Sequence, residues 1–328
     1  MRTELVELLR CPLTGQGLFW ENGKDNCLGG GDGWLVSEDG QKRYPVLAGI
    51  PRFVAKSNYA DNFGIQWNHF RKTQLDSHSG LPISTNRFWE ATGWSPEVMK
   101  NEWVLDAGCG AGRFAEVALL AGAKVVALDF SSAVDACYAN LKHHRNLYVV
   151  QGDIYALPFA PKTFAFVYSL GVLQHTPNVA NAFAALPQML REGGRLCADF
   201  YWRRFRTMMH AKYLFRPITT RMRQPQLFEL LERWVPSLLS LSQLLGRVPL
   251  LGRVLKRIVP VADYTDRFPL SEKQLKEWAL LDTFDMLAPT FDNPQSARTI
   301  KQWFDDAGLV DVEVGHWSHL VGRGTKPV

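Results

Sequence analysis

The sequence predicts an α/β fold: a mostly parallel sheet, a small β-rich unit ahead of it, and a helical insertion after its fifth strand. Three observations carry this. Residues 101–200 alternate apolar strand-like runs with helical patterns, the signature of βαβ units. A glycine loop, Gly108-Cys109-Gly110-Ala111-Gly112, directly follows the first of those runs. Residues 201–290 then abandon the alternation for Leu- and Arg-rich helical sequence.

Taken in order, residues 1–57 are short-period and turn-rich. Gly29-Gly30-Gly31-Asp32-Gly33 reads as a loop, and Tyr44-Pro45-Val46 followed by Gly49-Ile50-Pro51 as turn signals. Residues 58–100 are aromatic and polar (Phe63, Trp67, Phe70, Phe88, Trp89, Trp94) and read as helical pieces. Strands are expected at 103–107, 124–129, 147–150, 164–169 and 195–200, with helices at 112–121, 132–142 and 179–191 between them. In the insertion, Leu227, Leu230, Leu231 and Trp234 fall at i, i+3, i+4 and i+7, one apolar helix face. A helix over 294–307, stopped by Gly308, precedes an expected hairpin of 310–314 and 319–322. The division is therefore 1–57, then 58–200 together with 291–328, with 201–290 inserted.

Composition sets the outer limits. With 328 residues, 46% hydrophobic and 21% charged, the chain is neither disordered nor fibrous, and its net charge of +5 does not imply nucleic acid. Cys11, Cys27, Cys109, Cys137 and Cys197 are few, odd in number and scattered, which argues against a disulfide framework and for a reducing, cytoplasmic setting. The opening residues carry Glu4, Glu7 and Arg10, so no secretory signal is expected. The most apolar stretch, near 238–251, is broken by Arg247 and Pro249, so no membrane span is expected.

The chemistry is concentrated after the first strand of the alternating region. Val104-Leu105-Asp106-Ala107 runs into the glycine loop and then a helix. Glycines there permit tight backbone geometry and let a ligand press on the main chain, while the helix start offers N–H donors. A diphosphate fingerprint G-x-G-x-x-G wants glycine at 113; this chain has Arg113, which suits a carboxylate better. The next strand ends at Asp129, placed to accept hydrogen bonds from ribose hydroxyls, and the third is followed by Gly152-Asp153-Ile154, where an adenine amino group could be read. Three acids at successive strand ends lie on the edge where open α/β sheets bind ligands.

These residues make the chain recognisable. Residues 104–114, 125–131, 152–159, 164–176 and 190–196 resemble the class I S-adenosylmethionine-dependent methyltransferases, and Tyr168-Ser169-Leu170-Gly171-Val172-Leu173-Gln174-His175 resembles a stretch of their small-molecule members. The resemblance implies a Rossmann-like seven-stranded sheet with an antiparallel C-terminal strand, and S-adenosyl-L-methionine as cofactor. It implies that Gly108, Gly110 and Gly112 line the methionine part with Leu170 beside it, and that Asp106 stands near its amino group. Asp129 would hold the ribose, Asp153 and Ile154 the adenine, and Phe130 would pack on the adenine face. Many relatives carry Phe-Asp at the start of the fourth strand; here it is Phe164-Ala165. Residues 1–55, through Leu9-Arg10-Cys11-Pro12-Leu13-Thr14 and the two turn signals, resemble short zinc-ribbon proteins that partner methyltransferases. Thr14 stands where metal-binding members have a second cysteine, so this unit is expected to be degenerate and metal-free.

His175 is the candidate base for a hydroxyl or amine acceptor, since it follows the fourth strand on the ligand edge; ordering the loop before Thr176-Pro177 is the equal alternative. Tyr155, Asp199 and Tyr201 read as structural groups or substrate contacts. Ser169-Leu170-Gly171-Val172 is not the N-P-P-Y or D-P-P-Y run of amino-methyltransferases, and no acidic cluster suggests magnesium. Residues 201–260 hold twelve Lys and Arg against two Glu, leaving the rest of the chain net acidic. Three readings of that insertion stand: a helical subdomain with its own core, a lid for a lipid-linked substrate touching the inner face of an anionic membrane, and, least favoured, a nucleic-acid surface. The expected activity is methyl transfer to a small or lipid-linked metabolite. The alternatives are an RNA methyltransferase and a non-catalytic methyltransferase-like interaction protein; the intact Asp106, glycine loop, Asp129 and Asp153 argue against the latter.

Overall fold

The computed structural model describes residues 2–22, 32–55, 60–204 and 211–328. Cys27, most of the glycine loop before Gly33, and residues 205–210 of the insertion lie outside the described residues. The described residues form two sheets. The first is a four-stranded antiparallel meander, β1 (Leu18–Asn22), β2 (Gly33–Ser37), β3 (Arg43–Leu47) and β4 (Ile50–Pro51). The second is seven-stranded and contains β5 (Trp103–Ala107), β6 (Lys124–Asp129), β7 (Leu147–Gln151), β8 (Phe164–Ser169), β9 (Leu190–Phe200), β10 (Val310–Trp317) and β11 (His319–Thr325). Its order is β10-β11-β9-β8-β5-β6-β7, parallel from β9 through β7, with β11 antiparallel to both neighbours. The fold is thus Rossmann-like and mostly parallel, with the expected antiparallel strand near the C-terminus.

The central strands are apolar because both faces are covered. Val104 through Ala107 are all buried, as is every residue of β7 and β8. Helices Arg113–Leu120, Ala133–Leu141 and Val179–Met189 supply the cover. β9 begins at Leu190, five residues earlier than its sequence pattern suggests. After Leu190, residues Arg191, Glu192 and Gly193 are exposed where the pairing with β8 shifts register, so this stretch carries no apolar signal. The hairpin β10–β11 is also longer than expected. Gly322 and Gly324 in β11 lie against Phe304 of the helix Ala297–Asp306; a Cβ at Gly322 would sit 2.5 Å from the Phe304 ring.

The amino-terminal sheet is packed onto the large one. Leu5, Leu9, Leu35 and Val46 share a core with Leu128, Val150 and Phe159. The backbone joins them as well: Phe53 N–H donates to Gln151 O (2.8 Å) and Arg10 N–H to Pro158 O (2.9 Å). This covers β7, which would otherwise leave an open edge.

The insertion has a core of its own. Leu227, Leu231, Val235 and Leu239 of the helix Gln224–Gly246 bury themselves against Ala279, Phe284 and Leu287 of the helix Glu272–Leu287. The single apolar face expected for residues 227–234 is split: Leu227 and Leu231 point inward, but Leu230 is 41% exposed and Trp234 52%. Helix geometry explains the division. Residues 227, 231, 235 and 239 cluster on one side, whereas 230, 234, 241 and 244 form a second stripe roughly 110° away.

Candidate functional site

Strand order creates the site. The chain leaves β5 to one side for β6 and returns on its other side as β8, so β5 and β8 are neighbours whose following loops part in opposite directions. Open α/β sheets bind ligands at such a switch point. Here the loop after β5 carries the glycines and the loop after β8 carries Leu170–His175. The two loops touch: a Cβ at Gly108, whose φ is +101°, would lie 2.5 Å from Val172 Cγ1. A cleft opens between them, enclosing about 930 Å³ when its mouth is included.

Seven of the expected site residues line this cleft: Gly108, Gly110, Asp129, Phe130, Ile154, Leu170 and His175. The Asp129 carboxylate ties the first two strand ends together. Its Oδ2 accepts from Gly110 N–H (2.9 Å), and its Oδ1 from Ser131 N–H (2.8 Å) and Ser131 Oγ–H (2.7 Å). Burial nevertheless keeps its pKa above the usual carboxylate range.

Three expected residues do not line the cleft. Asp106 lies beneath its floor, 1% exposed, beside the Tyr168 hydroxyl, with Oδ2 lacking a hydrogen-bond partner. Burial, reinforced by the nearby Asp129 charge, pushes it up to about 8. Gly112 is the N-cap of the helix Arg113–Leu120, with φ +93°, and packs against the next helix; a Cβ there would lie 2.7 Å from Leu141 Cδ1. Asp153 caps the turn Ile154–Ala156, accepting from Tyr155 N–H (2.9 Å).

His175 is 6% exposed and held on three sides. Its Nδ1 lies 3.1 Å from Phe291 O, and since a carbonyl can only accept, Nδ1 carries the proton. The ring packs against Phe63 and Tyr201, each at 5.3 Å between centroids. Nε2 is buried without a partner.

The cleft's outer wall comes from residues that sequence patterning did not single out as site residues. Phe63 and Trp67 of the helix Asp61–His69, then Arg71 and Gln74, cover it, and Asp285 reaches it from the insertion. Trp67 lies over the glycine turn, 3.1 Å from where a Gly110 Cβ would stand. The wall is tied down: Arg113 Nη1 donates to Gln74 Oε1 (2.6 Å) and Trp278 Nε1 to Thr73 O (2.9 Å). The only advance signal was the density of aromatics in residues 58–100. Among the described residues, no group of three or more His, Cys, Asp or Glu is placed to hold a metal ion.

Residues 105–198 match the family model described as a methyltransferase domain. The chain is 35% identical over 121 residues to the demethylmenaquinone methyltransferase of Thermobifida fusca, a match covering 35% of this chain and 51% of that protein. It is 38% identical over 91 residues to the malonyl-[acyl-carrier protein] O-methyltransferase of Pectobacterium atrosepticum, covering 28% and 35%. It is 29% identical over 170 residues to the sterol 24-C-methyltransferase of Pneumocystis carinii, covering 49% and 44%. The chain thus spans about half, or less, of the length of these curated relatives. Sheet order, the glycine turn after the middle strand and the match over 105–198 together give this chain a Rossmann-like methyltransferase domain.

Proposed function

We propose that this protein transfers a methyl group from S-adenosyl-L-methionine to a small or lipid-linked metabolite. The observation that carries the reading is the cleft at the β5/β8 switch point, where a tight glycine turn and the Asp129 carboxylate meet above the buried Asp106. These residues fit the cofactor. Gly108 and Gly110 leave no side chain between ligand and backbone. Asp129 faces the cleft with acceptor capacity beyond its three protein bonds, suited to ribose hydroxyls. Ile154, Phe130 and Leu170 offer apolar walls for a flat base and an aliphatic chain. An ammonium on the floor above Asp106 would add a charge for its unpartnered Oδ2, with Gly112 and Asp153 shaping the two turns from behind.

When bound, the cofactor supplies an electrophilic methyl on a sulfonium. The protein's part is to orient the acceptor, exclude water and manage a proton. Orientation of this kind accounts for about 7–11 kcal/mol of barrier lowering. Phe63 and Trp67 close the cleft against solvent. His175, fixed by its Nδ1–H bond to Phe291 O, is suited to receive a proton at Nε2 from an acceptor hydroxyl or amine.

The relatives' names span a demethylmenaquinone, a sterol and a malonyl-[acyl-carrier protein], and the insertion is consistent with a lipid-like acceptor here. No helix among the described residues is long and apolar enough to cross a membrane. Yet Leu214, Ile218, Leu244, Leu250 and Ile258 are all more than 60% exposed, interspersed with arginines. Apolar side chains beside cations suit the surface of an anionic membrane. The test is calorimetry with S-adenosylhomocysteine, followed by incubation with deuteromethyl S-adenosylmethionine and a lipid extract. One cofactor per chain and a labelled lipid product are expected; absence of cofactor binding refutes the reading.

A further inference from the structure

A second, larger cavity adjoins the cleft and shares Trp67, Arg113, Phe114, Leu170, Gly171 and Asp285 with it. It lies between the helix Ile83–Thr92, the far end of the insertion and the β10–β11 turn. Its inner end holds two guanidiniums on one aromatic ring: Arg87 Cζ is 5.2 Å and Arg113 Cζ 4.7 Å from the Phe114 centroid. Arg87 Nη2 also stands 3.8 Å from where a Gly171 Cβ would be, at the wall shared with the cleft.

These two cations keep hydrogen-bonding capacity unused, although the Asp282 carboxylate acts on both through space and Asp76 on Arg113. Among the described residues, Arg113 hydrogen-bonds to neutral acceptors, Ser84 Oγ (3.2 Å) and Gln74 Oε1 (2.6 Å). Arg87 has one ion pair, Nη2 to Asp199 Oδ2 (2.7 Å), while its Nε is buried and unpartnered. Asp199 is itself shared, since Oδ1 accepts from Gly171 N–H. Each of the other acids that line the cavity accepts a hydrogen bond from a neutral group rather than from these guanidiniums. Asp282 accepts from the Tyr264 hydroxyl and from Gln74, Asp285 from Tyr201 (3.2 Å), and Glu90 from Ser318 (2.9 Å). Burial, with Arg87 alongside, brings Arg113 down to about 10, and the Arg87 charge together with burial holds His319 neutral, at about 3. The His319 Nδ1 is a further buried polar atom without a partner.

We propose that this chamber seats the methyl acceptor by an anionic oxygen group, a carboxylate or phosphate, held between Arg87 and Arg113, with Tyr264, Phe268 and Trp278 receiving its apolar body. Guanidiniums suit either oxyanion through paired N–H donors. The proposal rests on the methyltransferase reading for the word acceptor, but the anion site is testable without it.

The full chain is titrated with benzoate, phenyl phosphate and benzamide by saturation-transfer NMR. Fragments of this size reach Kd values near about 1 mM. At least one anion is expected to bind about tenfold or more tightly than benzamide, and the tighter of the two names the head group. Arg87→Gln is expected to weaken the anion about tenfold while S-adenosylhomocysteine still binds as in the wild type. Because Asp199 is buried against Arg87, Arg87→Lys serves as the second variant and retains part of the anion binding. Benzamide binding as tightly as both anions, no anion binding to about 10 mM, or an Arg87→Gln protein that binds cofactor and anion normally overturns the clamp. Anion selectivity without S-adenosylhomocysteine binding upholds the clamp and sinks the methyltransferase reading; the reverse pattern sinks only the clamp.

Discussion

Asp129→Asn separates a loop staple from a ligand group. In the wild type, one carboxylate oxygen serves two Ser131 donors and the other serves Gly110 N–H. An amide keeps one acceptor oxygen, which settles on the two Ser131 donors. Its NH₂ then faces Gly110 N–H, donor against donor. Leaving that buried N–H unpaired costs about 1–3 kcal/mol of stability. If the same carboxylate also accepts from the ribose, each charge-assisted bond lost weakens the ligand by about 1.5–3 kcal/mol, or about 10- to 150-fold. Urea denaturation reads the first effect and calorimetry with S-adenosylhomocysteine the second. Ser131→Ala is the control: it removes the Oγ–H donor to Asp129 and the Oγ acceptor of Ala133 N–H, and is expected to cost about 1–3 kcal/mol of stability with only a small change in ligand affinity. An Asp129→Asn protein that loses stability but binds within about twofold of wild type makes the carboxylate a staple alone and refutes the assignment.

Three further outcomes are expected. Gly108→Ala combines a left-handed φ with overlap on Val172, so urea denaturation should show a loss of about 2–5 kcal/mol; a loss below about 0.5 kcal/mol contradicts the packing described. Asp106, raised to about 8 when folded, holds a proton that the unfolded chain gives up near pH 4. Its stabilisation is therefore present below about pH 4 and lost as pH rises towards 8, a decline absent from Asp106→Asn. Calorimetry in buffers of different ionisation enthalpy should also show proton release on S-adenosylhomocysteine binding near pH 7 that this variant lacks. Trp234→Ser with Leu244→Ser removes two exposed apolar side chains that contribute to no core, so thermal stability should be unchanged while sedimentation with anionic vesicles falls about tenfold; equal sedimentation excludes that stripe from membrane contact.

What the sequence determined by itself was whatever depends on near neighbours along the chain. Strand ends at Ala107, Asp129 and Ser169 were legible because buried parallel strands are continuous apolar runs with a polar or glycine stop. The glycine turn was legible because positive φ leaves few other residue choices. Residue spacing could not say which of the three strand-end acids faces the cleft. Asp129 does, whereas Asp106 is sunk beneath the floor and Asp153 turns back onto its own backbone. That outcome depends on Tyr168 from a strand 62 positions on and on local turn geometry. Nor could periodicity show that Phe63 meets His175, that Thr73 receives a bond from Trp278, or that Arg87 pairs with Asp199. Each of these contacts joins segments more than 100 residues apart. It forms only once the sheet order is complete, because a helix's apolar arc dictates that something must cover it but not what. The same reason divides the insertion's long helix: its sequence offers one broad apolar arc, and only the arrival of the helix Glu272–Leu287 decides which half is buried and which half is left facing out.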